Sequence, residues 1–194
     1  MATKLDVCNG ALVKLGMEPV LDVDSNNITD KGAKRCKLRY DVCRKFVLRA
    51  YSWPFAIKRA VLSPQANIVP AFGRDYSFLR PGDLLRVLSV LGSDDYELDY
   101  DLEGNEILAD ESNLHIIYIR DVDLIVYADA TFVEALSAYM AWDMCISLTE
   151  KETTRNQLWE DFVKLLGLGK FVSSTERPKR YAYASYLENS RSGG

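Results

Sequence analysis

The chain has 194 residues, 48% of them hydrophobic, which suits one globular domain with a sizeable core. Its 24 basic and 28 acidic residues give a net charge of -4, and this balance argues against a general nucleic-acid-binding protein. We expect no signal peptide, since no apolar segment follows a basic start, and no membrane span.

The first helix is predicted from Thr3 to Leu15. Thr3 and Asp6 have the spacing of a capping box, in which two side chains satisfy free backbone N–H groups at a helix start. Gly16 is the expected terminator, because glycine adopts the left-handed conformation without steric cost.

A second helix is predicted from Asp30 to Ala50, capped by Thr29 and ended before Pro54. One stripe of this helix is apolar at steps of three and four, which predicts its core-facing side. That stripe consists of Ala33, Cys36, Tyr40, Cys43, Val47 and Ala50. The rest of its surface is densely cationic, and Trp53 and Phe55 are expected to cover one end of the core.

A small antiparallel β insertion is predicted at about residues 84–120, as a meander between two helical segments. Residues 85–91 are an apolar run, and residues 96–102 alternate tyrosine or leucine with an acidic residue, which predicts a half-buried strand. Residues 106–109 and 115–120 are the remaining strand candidates. Pro81-Gly82-Asp83 and Glu103-Gly104-Asn105 predict turns.

The predicted central element is a helix from Thr131 to Leu148 that is apolar on nearly every side, so we expect it to be buried. Thr131 and Glu134 predict a capping box at its start. Asp143, a charge within this helix, is expected to pair with a basic residue or a backbone group. The same capping-box spacing recurs at Thr149 and Glu152, so a last helix is predicted to begin near there.

The predicted fold class is therefore α+β, mainly α. A helical bundle of residues 1–60 and 129–172 surrounds the central apolar helix, carries the β insertion and forms one domain of residues 1–172. Residues 173–194 contain Pro178, several basic residues and three tyrosines, and they are predicted to form an extended C-terminal arm. This arm is either a floppy tail or a segment that becomes ordered on assembly.

The candidate chemistry is sparse. The four cysteines fall in predicted helices and are expected to remain free, acting as small hydrophobic residues. His115 is the only histidine and is expected to be structural. The sequence has no Cys-x-x-Cys, no Gly-rich phosphate loop and no nucleophile elbow, so we predict no catalytic activity, no metal and no cofactor.

Three motifs occur in a specific order along the chain. They are Leu15-Gly16-x-x-Pro19-Val20, Trp53-x-Phe55 and Tyr76-x-x-Leu79-x-Pro81-x-Asp83-x-Leu85-Arg86-Val87. Together with the order of helices around them, they resemble the tail tubular protein A family of short-tailed bacteriophages, also called head-to-tail adaptor or gatekeeper proteins. The resemblance covers about residues 5–171. The family usually has Leu-Pro where this chain has Leu79-Arg80-Pro81.

The resemblance implies a structural virion protein of the tail and neck, assembled in the host cytoplasm. Its expected partners are other copies of itself in a ring of twelve, the portal protein above and the tail nozzle protein below. Genomic DNA would pass through the channel without specific binding. The family has no enzymatic activity, so no catalytic residue is carried over.

The charge distribution is an independent observation. Residues 30–59 carry ten basic and two acidic side chains, a net +8, whereas residues 94–111 carry nine acidic and no basic ones. These are either two solvated faces or two complementary surfaces that meet between neighbouring subunits or against the portal. The predicted interface residues are Lys34, Lys37, Arg44, Lys45, Asp99 and Asp101, with Arg177, Arg180, Tyr181, Tyr183 and Tyr186 in the arm.

An alternative function is DNA binding through the cationic helix at residues 30–50. Lysine and arginine side chains that neutralise phosphates would give strongly salt-dependent affinity. The helix lacks the short second helix of a helix-turn-helix motif, so sequence-specific recognition is not expected from it.

Overall fold

The computed structural model describes residues 2–25, 27–66, 68–123 and 128–176. These residues form four α-helices and six β-strands, an α+β protein as predicted. In chain order the elements are α1 Lys4–Lys14, α2 Lys31–Ala50, β1 Ile57–Leu62, β2 Tyr76–Leu79, β3 Leu84–Leu91, β4 Asp101–Glu103, β5 Glu106–Ala109, β6 Leu114–Arg120, α3 Ala130–Thr149 and α4 Glu152–Glu176.

The start of α1 confirms the predicted capping box. The Thr3 hydroxyl accepts a hydrogen bond from the Asp6 backbone N–H, and the Asp6 carboxylate accepts one from the Thr3 N–H at 2.8 Å. The helix ends where expected, with Gly16 in the left-handed region at a φ of 72°. The start of α2 is one residue later than predicted, because Asp30 is the capping residue in place of Thr29.

The two other predicted capping boxes are wrong. Helix α3 is capped by Asp129, whose carboxylate accepts the backbone N–H of Thr131. Glu134 accepts a hydrogen bond from the Lys14 ammonium at 2.9 Å, which joins α3 to α1. Thr149 is the last residue of α3 and not a cap of α4, although α4 does begin near the predicted position, at Glu152. Spacing alone therefore does not locate a cap, because the same side chains can be used in tertiary contacts.

Helix α3 is largely buried and packs against α1, α2 and α4. Its fully buried side chains include Phe132, Leu136, Met140 and Cys145, which meet residues of the other three helices in the larger of two hydrophobic cores. All four cysteines of the chain are free and buried there, as predicted. Helix α4 continues through both of its glycines to Glu176, beyond the predicted limit at residue 172.

The β region is larger than predicted and is not a meander. It begins at Ile57 instead of near residue 84, because β1 and β2 were not predicted from the sequence. The strands form two antiparallel three-stranded sheets, in the orders β1-β6-β3 and β2-β5-β4. Apart from β4 and β5, strands that are neighbours in the chain therefore lie in different sheets. We call residues 57–120 the β lobe.

The predicted strand at residues 96–102 is also wrong in most of its length. Only β4 is a strand there, and Leu98 and Tyr100 are half-buried while Tyr96 and Leu102 are exposed. The turn at Gly104 is confirmed, as is the turn before β3, where the Leu84 N–H donates to the Pro81 carbonyl at 3.0 Å.

The two sheets share a second, smaller hydrophobic core that includes Phe78, Ile107, Ile116 and Tyr118. The Tyr118 hydroxyl leaves this core to donate to the Asp83 carboxylate at 2.9 Å. Lys58 donates to the other oxygen of that carboxylate at 2.8 Å. The β lobe is thus a separately packed unit, and it carries all nine acidic residues of the 94–111 segment.

Candidate interface surfaces

The outward side of α2 carries the first predicted surface. Lys34 lines a surface groove of about 510 Å³ together with Ile28 and Leu38. The Lys37 ammonium donates hydrogen bonds to the carbonyl oxygens of Asp24 and Ser25, both at 2.9 Å, and so ties the preceding loop to α2. Lys34 therefore faces a concave, partly apolar site, while Lys37 has a structural role in forming its wall.

Arg44 is not part of an exposed surface, which corrects the prediction. Its side chain is 3% exposed and its guanidinium donates to the Asp121 carboxylate and to the Val122 carbonyl oxygen. Asp41 lies 3.4 Å away and Asp123 3.7 Å away, at the solvent side of the same pair. Because a buried charge needs a partner, Arg44 joins α2 to the segment that leaves β6.

Two other α2 cations are also paired within the chain. Lys45 is half exposed, and its ammonium lies 3.2 Å from the second oxygen of Asp121. Arg39 forms a two-point pair with Asp143 at 2.6 and 2.9 Å, which confirms the expected partner for the charge in α3. The hydrogen bond that Arg39 donates to Asp143 is the main reason why the pKa of Arg39 is raised. The cationic face of α2 is therefore smaller than a count of its basic residues indicates.

The acidic surface lies on the edge of the β lobe. Asp99 is exposed in the segment before β4, and Asp101 opens that strand. Arg74 crosses this edge and binds Asp101 and Asp110, each at 2.7 Å. These two hydrogen bonds raise the pKa of Arg74. A single arginine offsets part of the acidic charge, and the surface around Asp99 remains negative.

His115 lies on the outer face of the first sheet. Its Nδ1 atom is 3.4 Å from the Asp95 carboxylate, at the side of an open depression of about 260 Å³ lined also by Arg59 and Val61. Asp95 is largely exposed, so this pair can be weakened by solvent. Across the described ranges, no group of three or more histidine, cysteine and acidic residues could hold a metal ion. The absence of catalysis and of cofactors stays a prediction.

The structure shows an exposed apolar surface that the sequence analysis missed. Leu38, Val42 and Phe46 occupy the side of α2 opposite its core stripe, and all three are exposed. Their spacing of four residues is visible in the sequence and places them on one side of the helix, but the cationic residues between them predict a purely charged surface. At its far end the Phe46 ring stacks on Tyr139 of α3, with centroids 4.4 Å apart.

The five predicted interface residues of the C-terminal arm lie outside the described residues. They are Arg177, Arg180, Tyr181, Tyr183 and Tyr186, and their roles stay predictions.

Comparison of the sequence with protein-family models finds no match, and comparison with the curated proteins finds none either. Within the described ranges, none of the helices is sufficiently long and apolar to cross a membrane. The fold and surfaces define an α+β protein in which a helical layer with a cationic and apolar face carries an acidic β lobe.

Proposed function

We propose that this chain is a structural virion protein, a head-to-tail adaptor that forms a ring between the portal and the tail nozzle of a short-tailed phage. The ring of twelve copies would surround a channel through which genomic DNA passes without specific binding. The particular assignment comes from the ordered motifs between Leu15 and Val87, which resemble the tail tubular protein A family. In this proposal, the helices form a bundle around α3.

The observation that carries the proposal is the concentration of opposite charges on two different parts of one chain. Lys34 and its cationic neighbours lie on α2, and Asp99 lies on the β lobe. A closed ring requires a heterologous interface, in which two different patches of each subunit meet. Complementary charges at such patches set the register of the subunits and speed their encounter more than they add affinity.

The test is a mass measurement of the purified chain alone and mixed with the portal protein of the same virus. A chain that works as an adaptor adds to the portal in a fixed number of copies. Electron microscopy of the intact particle should then show this polypeptide in the neck. A chain that neither joins the portal nor occurs in the neck refutes the proposal.

Charge reversal tests the interface within that assembly. Because Arg44 is buried, the reversal is made at Lys34 and Arg35, both exposed on α2. Lys34→Glu with Arg35→Glu should weaken assembly on the portal at physiological salt, since like charges then face each other. Lys164→Glu with Lys170→Glu on α4 makes the same change in net charge at another exposed surface and should assemble normally. If both double variants assemble equally well on the portal, the electrostatic part of the proposal is refuted.

The DNA-binding alternative uses the same helix and is tested separately. Arg39, Arg44 and Lys45 already pair with carboxylates of this chain, which supports a structural role for much of the cationic helix. Filter binding across a range of salt concentrations distinguishes the two functions. Tight binding that falls steeply with salt would favour the DNA-binding function.

A further inference from the structure

The first observation is an apolar stripe on the solvent side of α2, formed by Leu38, Val42 and Phe46, which we call the α2 ridge. These side chains are 65%, 53% and 43% exposed. Single exposed apolar residues are ordinary on protein surfaces, but three in one row on one helix are typical of a contact site. The ridge joins the Ile28 groove at the Leu38 end and the ring of Tyr139 at the Phe46 end.

Cationic residues border this ridge. Lys34 and Arg35 precede Leu38 by four and three residues, which places them one turn away on the same side of α2. Both are exposed. At the other end, Arg155 of α4 lies over the ring of Trp142, which itself packs near Tyr139. The ridge therefore suits a partner that brings apolar side chains flanked by acidic ones.

The second observation is a loop of this same chain that exposes apolar side chains next to acidic ones. The β1–β2 loop, of which residues 63–66 and 68–75 are described, exposes Val69 and Phe72, which are 75% and 89% accessible to solvent. The base of the loop is fixed to the β lobe, since the Gln65 N–H donates to the Ser77 carbonyl at 2.8 Å. Aromatic side chains presented on a fixed base are frequent anchors at protein interfaces.

Acidic residues surround the base of this loop. Arg74, two residues after Phe72, is held by both Asp101 and Asp110 at 2.7 Å, so Phe72 projects from the acidic edge of the β lobe. Asp75 follows directly and is exposed. The loop thus offers apolar anchors beside negative charge, and the α2 ridge offers an apolar row beside positive charge.

We propose that the α2 ridge of one copy of this chain receives residues 68–75 of the β1–β2 loop of a second copy. The ridge and the loop are both exposed in the single chain, so neither covers the other within one molecule. The contact joins two different patches, so it leaves a free ridge at one end and a free loop at the other, as ring assembly requires. This inference rests on the proposed ring and names the surfaces by which its subunits meet.

The experiment uses two variants of the full chain and sedimentation velocity. Val42→Glu disables the ridge and leaves the loop, whereas Phe72→Glu disables the loop and leaves the ridge. Each alone should have an association constant more than about tenfold below that of the wild-type chain, because a central anchor is lost. Mixed together, they should form a one-to-one dimer and nothing larger, since one intact ridge then meets one intact loop.

Leu38→Glu is a second ridge variant, so that the result does not depend on the folding of one variant. Val13→Glu on α1 is the matched control, since Val13 is an apolar residue with similar exposure that lies outside both surfaces. It should associate as the wild-type chain does. Circular dichroism and thermal unfolding compare the folding of all four variants with that of the wild-type chain.

Three results overturn the inference. One is a mixture of the ridge and loop variants that stays monomeric while the wild-type chain associates. Another is a Phe72→Glu chain that associates normally when Val42→Glu does not, which indicates a symmetric ridge-to-ridge contact. The third is a wild-type chain that stays monomeric up to its solubility limit. Binding of the wild-type chain to the portal is measured separately. If the wild-type chain does not bind the portal but the mixed variants form their dimer, the adaptor proposal is refuted. If the wild-type chain binds the portal but the mixed variants form no dimer, only this inference is refuted.

Discussion

The buried pair of Arg44 and Asp121 gives a prediction with an asymmetric outcome. Asp121→Ala leaves the Arg44 guanidinium buried, with an Nε atom that already lacks a hydrogen-bond partner among the described residues. Breaking a buried pair by removing one partner costs about 3–5 kcal/mol. Asp41 and Asp123 remain nearby but are themselves largely exposed, so we expect a loss of about 3 kcal/mol in the free energy of unfolding.

Arg44→Met removes the other member of the same pair and should cost much less. The carboxylate that it leaves behind is 24% exposed and keeps Lys45 at 3.2 Å. Methionine fills much of the space of the arginine stem without a charge, so a loss of about 1 kcal/mol is expected. The burial of each partner therefore predicts which of the two variants loses more stability, as well as the size of each loss.

Urea unfolding followed by tryptophan fluorescence measures both variants, since Trp53 is buried against α3. Thermal unfolding should show the Asp121→Ala chain melting about 6–12 °C below the wild-type chain. The double variant Arg44→Met with Asp121→Ala should be more stable than Asp121→Ala alone, because no buried charge is left. An Asp121→Ala chain as stable as Arg44→Met would refute the placement of a buried guanidinium at this site.

Three further outcomes are expected. Gly167→Ala should raise the free energy of unfolding by about 0.5–1 kcal/mol, because its new methyl group meets nothing within 4 Å. Gly169→Ala should lower it by about 1 kcal/mol in the same urea titration, because its methyl group would lie 3.0 Å from the Trp53 ring. Burial opposes ionisation of Asp83, but its two hydrogen bonds outweigh burial and lower its pKa below the ordinary 3.8. The contribution of the Asp83 carboxylate to stability is therefore present above pH 3.8 and is lost as the pH falls through the lowered pKa. When the free energy of unfolding is compared at neutral and acid pH, Asp83→Asn should lose less stability on acidification than the wild-type chain. An equal loss in the two chains contradicts this. Burial raises the pKa of Cys43 to about 12, so a thiol reagent at mildly alkaline pH should label this cysteine only after unfolding, and rapid labelling of the native chain would exclude the buried position.

The sequence alone predicts where the four helices lie to within a few residues, although two of its three capping boxes are wrong. The capping box at Thr3, the terminator at Gly16 and the core stripe of α2 are confirmed, except that Ala50 is exposed. The burial of α3 also follows from its composition. These features depend on residues three or four positions apart, so local periodicity contains the information.

The β lobe was predicted only in part because strand pairing is not local. Ile57 pairs with Ile119 and Tyr76 with Ala109, over distances in the chain that no short pattern encodes. The alternation at residues 96–102 is genuine, yet only Asp101 and Leu102 belong to a strand, and residues 96–98 meet the end of β3 only through an isolated bridge at Glu97. A period of two is necessary for a half-buried strand but does not supply the neighbouring strand that it needs.

Sequence by itself therefore determined which helices form, which sides of them are buried and where opposite charges are concentrated. Tertiary structure decided how those charges are used, since Arg44 and Asp121 are 77 residues apart and meet only after folding. It also decided that Leu38, Val42 and Phe46 stay exposed beside the cations of α2. The physical reason is that periodicity is a property of one segment, whereas burial and ion pairing depend on what the rest of the chain brings to it.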